Sequence, residues 1–124
     1  MIGVVRTSVV IVDDHAAFRA SARRLLEAGG LWVLGEADSG EAGLCAVWRL
    51  RPDVVVVDVG LPGIDGFEVA HRLTKAGWNG PILLISSRPP RPTDATFSGG
   101  HVHGVLAKED LSPEAVSALQ ELQR

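Results

Sequence analysis

The sequence predicts an α/β fold built on a parallel sheet, and three observations predict it. Ser8–Val12 (SVVIV), Val54–Val57 (VVVV) and Ile82–Ile85 (ILLI) are continuous apolar runs without alternation, the pattern of strands whose two faces are both covered by helices. Segments with helical apolar spacing separate them, which implies right-handed crossovers within one sheet. Asp13, Asp14, Asp58, Ser86 and Lys108 each stand at the end of an apolar run, the edge at which open parallel sheets bind ligands.

The elements follow in order. Ser8–Val12 is the first central strand. Phe18, Ala22, Leu25 and Leu26 share one face of the helix after it, and the Gly29-Gly30 pair stops that helix. Leu31–Ala37 is a weaker strand that belongs at the flank. Leu44, Val47 and Leu50 continue a helical period up to Pro52, and Val54–Val57 is the second central strand. Gly66, Val69, Ala70 and Leu73 fall on one face, with Asp65 as N-cap before them and Gly77 as stop after them. Ile82–Ile85 is the third central strand. Where a fourth helix is due, three prolines and two glycines between Arg88 and Gly100 leave room for little more than one turn, so a short helix or an irregular loop is expected. Val102–Leu106 is a second flanking strand, and Ser112-Pro113-Glu114 opens the last helix with a hydroxyl cap, a first-turn proline and an acid at the positive dipole end.

Composition bounds the function. With 124 residues, 46% apolar and 22% charged, the chain is expected to form one domain over residues 1–124 with a sizeable core. No stretch approaches a membrane span, and Met1–Arg6 lacks the features of a signal peptide, so the expected location is cytoplasmic. A formal charge of −3 argues against nucleic-acid binding by this chain alone. Arg19, Arg23 and Arg24 read as a solvated helix face or a protein contact. The single Cys45 reads as a buried or half-buried hydrophobe rather than a nucleophile.

At the carboxyl edge the residue types suit phosphoryl chemistry. Clustered carboxylates repel one another unless a cation neutralises them. Mg²⁺ suits such a site, since it takes hard oxygen donors and bridges to phosphate. Lys108 offers a point charge and Ser86 a hydroxyl.

These residues resemble a known family. VIVDDH (Val10 to His15), VVVVDVGLPGIDGFEV (Val54 to Val69), ISS (Ile85 to Ser87) and VLAKEDLSPE (Val105 to Glu114) make the chain similar to the receiver domains of two-component response regulators, NarL/FixJ (LuxR-type) subfamily. The resemblance implies a flavodoxin-like (βα)5 doubly wound sheet of strand order 2-1-3-4-5. It implies that Asp58 is the phosphoacceptor, fed by a sensor histidine kinase or a small phosphodonor. Asp14 and Asp58 would ligate Mg²⁺ directly, the backbone carbonyl of Gly60 would be the third protein ligand, and Asp13 would act through water. Lys108 would pair with Asp58 or its phosphate, Ser86 would bond a phosphate oxygen, and Gly60 and Arg88 would tune the lifetime of the acyl phosphate. Such a module is no enzyme beyond self-phosphorylation and autodephosphorylation. The output would be a downstream protein, a homodimer, or a C-terminal helix-turn-helix DNA-binding domain of the kind usual in that subfamily.

The chain departs from the family pattern in places. The inward-turning switch aromatic is replaced by Val105, and Lys108 is followed by Glu109 instead of proline, so no cis bond is expected there. These departures keep a rival open, a degenerate receiver that docks a partner without phosphorylation; a phosphohydrolase acting on external substrates is a weaker one. His101 and His103, two apart on a strand, lack neighbouring carboxylates for a metal site. His15 reads as a packing or supporting residue beside the acids. Trp48, off the apolar stripe of its helix, and Trp78, in a glycine-bracketed turn, are candidates for an exposed partner surface.

Overall fold

The computed structural model describes residues 6–88 and 102–121. Five strands, β1 (Ser8–Val12), β2 (Trp32–Ala37), β3 (Val54–Asp58), β4 (Ile82–Ser86) and β5 (Val102–Ala107), form one sheet in the order β2-β1-β3-β4-β5. All the pairings are parallel. The central strands are the three continuous apolar runs and the flanking strands the two weaker ones.

Alternate residues of each central strand feed two separate cores. Val10, Val12, Val55, Val57, Ile82 and Leu84 face α2 (Gly40–Leu50) and α3 (Gly66–Lys75), meeting Val47, Val69, Ala70 and Leu73. Val9, Ile11, Val54, Val56, Leu83 and Ile85 face α1 (Ala16–Ala28) and α4 (Pro113–Glu121), meeting Ala22, Leu26, Val116 and Leu119. The central strand residues are wholly buried or nearly so, as unbroken apolar runs require when both faces are covered.

The caps follow from local chemistry. The side chains of Ser39, Asp65 and Ser112 each accept a hydrogen bond from a backbone N–H three residues on. Gly30 and Gly77 take positive φ where α1 and α3 end, a region L side chains avoid. Arg51 ends α2 at φ 51 without being glycine, and its guanidinium lies 5.0 Å over the Trp48 ring.

Three expectations are corrected. Leu25 is 44% exposed; the apolar stripe of α1 is too narrow to carry both leucines inward. Trp78 is buried, standing edge-on to Trp48 with ring centroids 5.5 Å apart, so the glycines around it bend the chain back onto the α2–α3 face and do not present the ring to solvent. Cys45 is exposed, on the outer side of the helix that buries Ala46 and Val47. The expected short helix or loop after β4 falls, beyond Arg88, outside the described residues, as does His101.

Candidate functional site

The site grows from the carboxyl ends of β1, β3 and β5. Parallel register places Val12 beside Val57, Asp58 beside Ile85 and Ser86 beside Ala107, so the residues that finish each run arrive at one edge. The close start of α3 fixes the end of β3: Gly66 lies so near that a Cβ there would stand 2.5 Å from the Asp58 carbonyl oxygen.

Asp13 has no exposed surface and is held on several sides. Its N–H donates to the Ala37 carbonyl at 3.0 Å, its carbonyl accepts from the Arg19 guanidinium at 2.7 Å, and its Oδ1 accepts the His15 N–H at 2.8 Å. Its Oδ2 faces the Lys108 ammonium at 2.6 Å. Asp58 is buried too, at 4% exposure; its Oδ1 accepts the Gly60 N–H at 3.1 Å and its Oδ2 lies 3.4 Å from the same ammonium. Lys108 thus bridges two of the acids and stands nearer Asp13 than Asp58, where Asp58 alone was the expected partner. The Phe18 ring closes over Lys108, its centroid 4.6 Å from Nζ.

Asp14 is partly exposed, yet its Oδ1 is buried and accepts no hydrogen bond. Ser86 ends β4, and its hydroxyl oxygen accepts the Arg88 N–H at 3.2 Å. Val105 packs partly buried against the α2–α3 core, beside Leu84. The Lys108–Glu109 bond is trans, there being no cis peptide among the described residues.

One residue of the cluster was underweighted by sequence reasoning. Carboxylate oxygens of Asp13, Asp14 and Asp58 and a ring nitrogen of His15 all lie within 4.8 Å of one another. The Nδ1 of His15 stands 3.2 Å from Asp13 Oδ1 and 3.3 Å from Asp14 Oδ1. Its signal in the sequence was only adjacency to the acid pair. His103 lies on β5, away from this group. A groove lined by Gly63, Ile64, Phe67, Glu68 and His71 contains none of the cluster.

Electrostatics follow from burial and crowding. Burial is the largest influence on Asp58 and raises its pKa; the Gly60 N–H lowers it, Asp13 raises it further and Lys108 lowers it, with a net upward shift. Burial pulls Lys108 down, but the hydrogen bond to Asp13 and the charges of Asp58 and Asp13 outweigh it, and its pKa is raised. The cluster keeps room for a further cation, because the one ammonium pairs with Asp13 and Asp58 and leaves Asp14 outside its reach. The crowded oxygens and the orphaned, buried Asp14 Oδ1 fit a hard divalent ion.

Residues 9–120 match the family model of the response regulator receiver domain. Among similar proteins, the virulence-factor positive transcription regulator BvgA of Bordetella pertussis is 34% identical over 89% of this chain and 53% of its own length. The DNA-binding transcriptional activator EvgA of Escherichia coli is 26% identical over 91% of this chain and 55% of its own length. The chain therefore spans about half the length of the curated relatives it matches. Among solved structures, the signal receiver domain of the response regulator NarL from Mycobacterium tuberculosis superposes with a TM-score of 0.82 at 33% identity, covering 94% of this chain and 95% of that one.

Proposed function

This chain belongs to the response regulator receiver domain family of two-component signalling, and on that premise we propose that Asp58 is its phosphoacceptor in a Mg²⁺-dependent reaction. One observation carries the reading: Asp13, Asp14 and Asp58 converge while a single lysine, Lys108, bridges Asp13 at 2.6 Å and Asp58 at 3.4 Å. Asp14 and Asp58 would hold the ion with the Gly60 carbonyl, and Asp13 would reach it through water. When bound, the ion supplies charge neutralisation for an incoming phosphoryl group.

The chain's own residues do the rest. The Gly60 N–H and the Lys108 ammonium orient the Asp58 carboxylate, so that one oxygen can attack in line. Lys108, already between the two acids, has a short path to a phosphate oxygen on Asp58. The Ser86 hydroxyl accepts from Arg88 and keeps its own hydrogen to donate. This is positioning and electrostatics, and the receiver is no classical enzyme; self-phosphorylation and autodephosphorylation at Asp58 are all it would perform.

Response regulators work with sensor kinases, and in the relatives above the name also speaks of transcription. We assign a sensor histidine kinase as donor and the cytoplasm as the location of this receiver. Residues 1–124 serve as one receiver unit that relays its state to a protein partner, a homodimer or a DNA-binding output domain. Among the described residues no helix is long and apolar enough to cross a membrane.

The test is intact-protein mass after incubation with acetyl phosphate and Mg²⁺. A phosphoryl adduct that is lost in Asp58→Asn is expected; no adduct in the native chain, or one that survives the substitution, would overturn the reading. A second reading, a docking module that ignores phosphorylation, is favoured by Val105, whose place in the apolar core leaves no aromatic ring to swing. It predicts that an Asp58 adduct forms without altering hydrogen exchange around β4 and β5.

A further inference from the structure

We propose that His15 is a nitrogen ligand of the cation site, and that its imidazole raises the affinity of the site for imidazole-accepting ions such as Ni²⁺ or Zn²⁺ while leaving that for Mg²⁺ nearly unchanged. The inference deepens the reading of Asp13, Asp14 and Asp58 as a cation site and rests on it.

The geometry begins with the chain. His15 is the N-cap residue of α1, but its side chain makes no capping bond; its N–H goes to Asp13 Oδ1 at 2.8 Å. That bond folds the main chain back and sets the ring beside both acids. The Nδ1 then stands 3.2 Å from Asp13 Oδ1 and 3.3 Å from Asp14 Oδ1. Donors about 2.0–2.1 Å from one ion at right angles are about 3.0 Å apart. The ring nitrogen and Asp14 Oδ1 stand near that spacing, and an Asp58 carboxylate oxygen lies within 4.8 Å of both.

A hydrogen bond from the ring to Asp13 accounts for only part of this. It leaves Asp14 Oδ1 buried and without any hydrogen-bond partner, which is costly for a carboxylate oxygen. An ion shared by Nδ1, Asp14 Oδ1 and Asp58 would satisfy that oxygen as well. It would require the tautomer that carries its proton on Nε2. The ring is 67% exposed, so Nε2 can meet water.

The choice of ion follows from the donor set. Carboxylate and carbonyl oxygens suit Mg²⁺, which gains little from an imidazole, whereas Ni²⁺ and Zn²⁺ bind imidazole well. Any such site already prefers the later ions, so the quantity that matters is the change on losing the ring.

The experiment is calorimetric titration of the whole chain, free of any polyhistidine tag, with Ni²⁺ and with Mg²⁺, in wild type, His15→Ala, His15→Asn and Asp14→Asn. His15→Asn supplies a favoured capping residue for α1 and lacks the imidazole, so it guards against a folding defect. Both His15 variants are expected to weaken Ni²⁺ binding by at least about tenfold and to change Mg²⁺ binding by less than about twofold. With Co²⁺ bound, a hyperfine-shifted imidazole N–H resonance should be present in wild type and missing in both. Equal losses for the two ions, unchanged Ni²⁺ affinity, or a resonance that survives both substitutions would overturn the proposal. Mg²⁺ binding that needs Asp14, beside Ni²⁺ binding indifferent to His15, would sink this inference alone. Failure of Mg²⁺ and Ni²⁺ alike to bind wild type, or undiminished binding of both in Asp14→Asn, would sink the cation site with it.

Discussion

Asp58 shows how function works against stability at a single residue. Burial, and after it the repulsion of Asp13, raises its pKa despite the Gly60 N–H and Lys108. A raised folded value means the native state holds the proton where the unfolded chain has lost it, so stability falls as pH rises from the ordinary value of 3.8 through the folded one. Without divalent ions, Asp58→Asn should therefore match wild type in urea denaturation near pH 3.5 and exceed it by about 1 kcal/mol at pH 7. An equal gap at both pH values would show that ionisation is not the cause. Lys108 has the opposite sense. Its raised pKa contributes stability that is complete below 10.5 and is lost as pH climbs through the folded value. At pH 7 Lys108→Ala leaves Asp13, wholly buried, without its countercharge, and should cost about 3 kcal/mol, part of it restored by Mg²⁺. A loss under about 0.5 kcal/mol would mark the contact as no better than an exposed ion pair. The convergence of these residues was legible from their places at run ends. The preference of Lys108 for Asp13, and the entry of His15, were not, because both depend on which side-chain oxygen the local hydrogen bonds leave available.

At the level of elements, the approach of α3 to the end of β3 sets the reactive carboxylate. Gly66 donates its N–H to the Val59 carbonyl at 3.1 Å, and the Asp58 carbonyl oxygen would lie 2.5 Å from a Cβ added there. The obstruction is backbone, which cannot rotate aside. Gly66→Ala should cost about 2–3 kcal/mol and weaken Mg²⁺ binding by displacing Asp58, whereas Gly77→Ala, with φ 94 and open space around it, should cost about 1 kcal/mol of left-handed strain and leave Mg²⁺ binding alone. Thermal melts and Mg²⁺ titrations of the two variants check this, and similar Mg²⁺ affinities would refute the positioning role. The central strands and the caps at Asp65 and Ser112 were legible because continuous apolar runs and Ser/Asp caps are local signals, whereas the Ser39 cap of α2 was passed over. Trp78, Leu25 and Cys45 were misread because their exposure is decided by the turn of one helix against another. Trp78 lies in a stretch with no period of its own, and only the T-shaped contact with Trp48 reveals that it closes the α2–α3 face.

Across the whole molecule the sheet divides two cores, one of them under α2 and α3 and the other under α1 and α4, and the acids sit at the edge where both cores end. Binding at that edge therefore couples to the folding of both layers. An ion that binds the native cluster and not the dispersed carboxylates of the unfolded chain stabilises by about 1.4 kcal/mol at ten times its Kd. Adding Mg²⁺ to that level should raise the urea midpoint by this free energy divided by the slope of the transition, and leave the slope unchanged, since the surface exposed on unfolding is the same. Asp14→Asn should abolish the gain, because the substitution removes the charge of a carboxylate proposed to hold the ion directly. Asp58→Asn should reduce the gain while keeping its own stability advantage at neutral pH, so the two substitutions separate metal binding from charge relief. A gain from Mg²⁺ that survives Asp14→Asn undiminished would place the stabilising ion elsewhere on the protein and remove the acid cluster from the cation site.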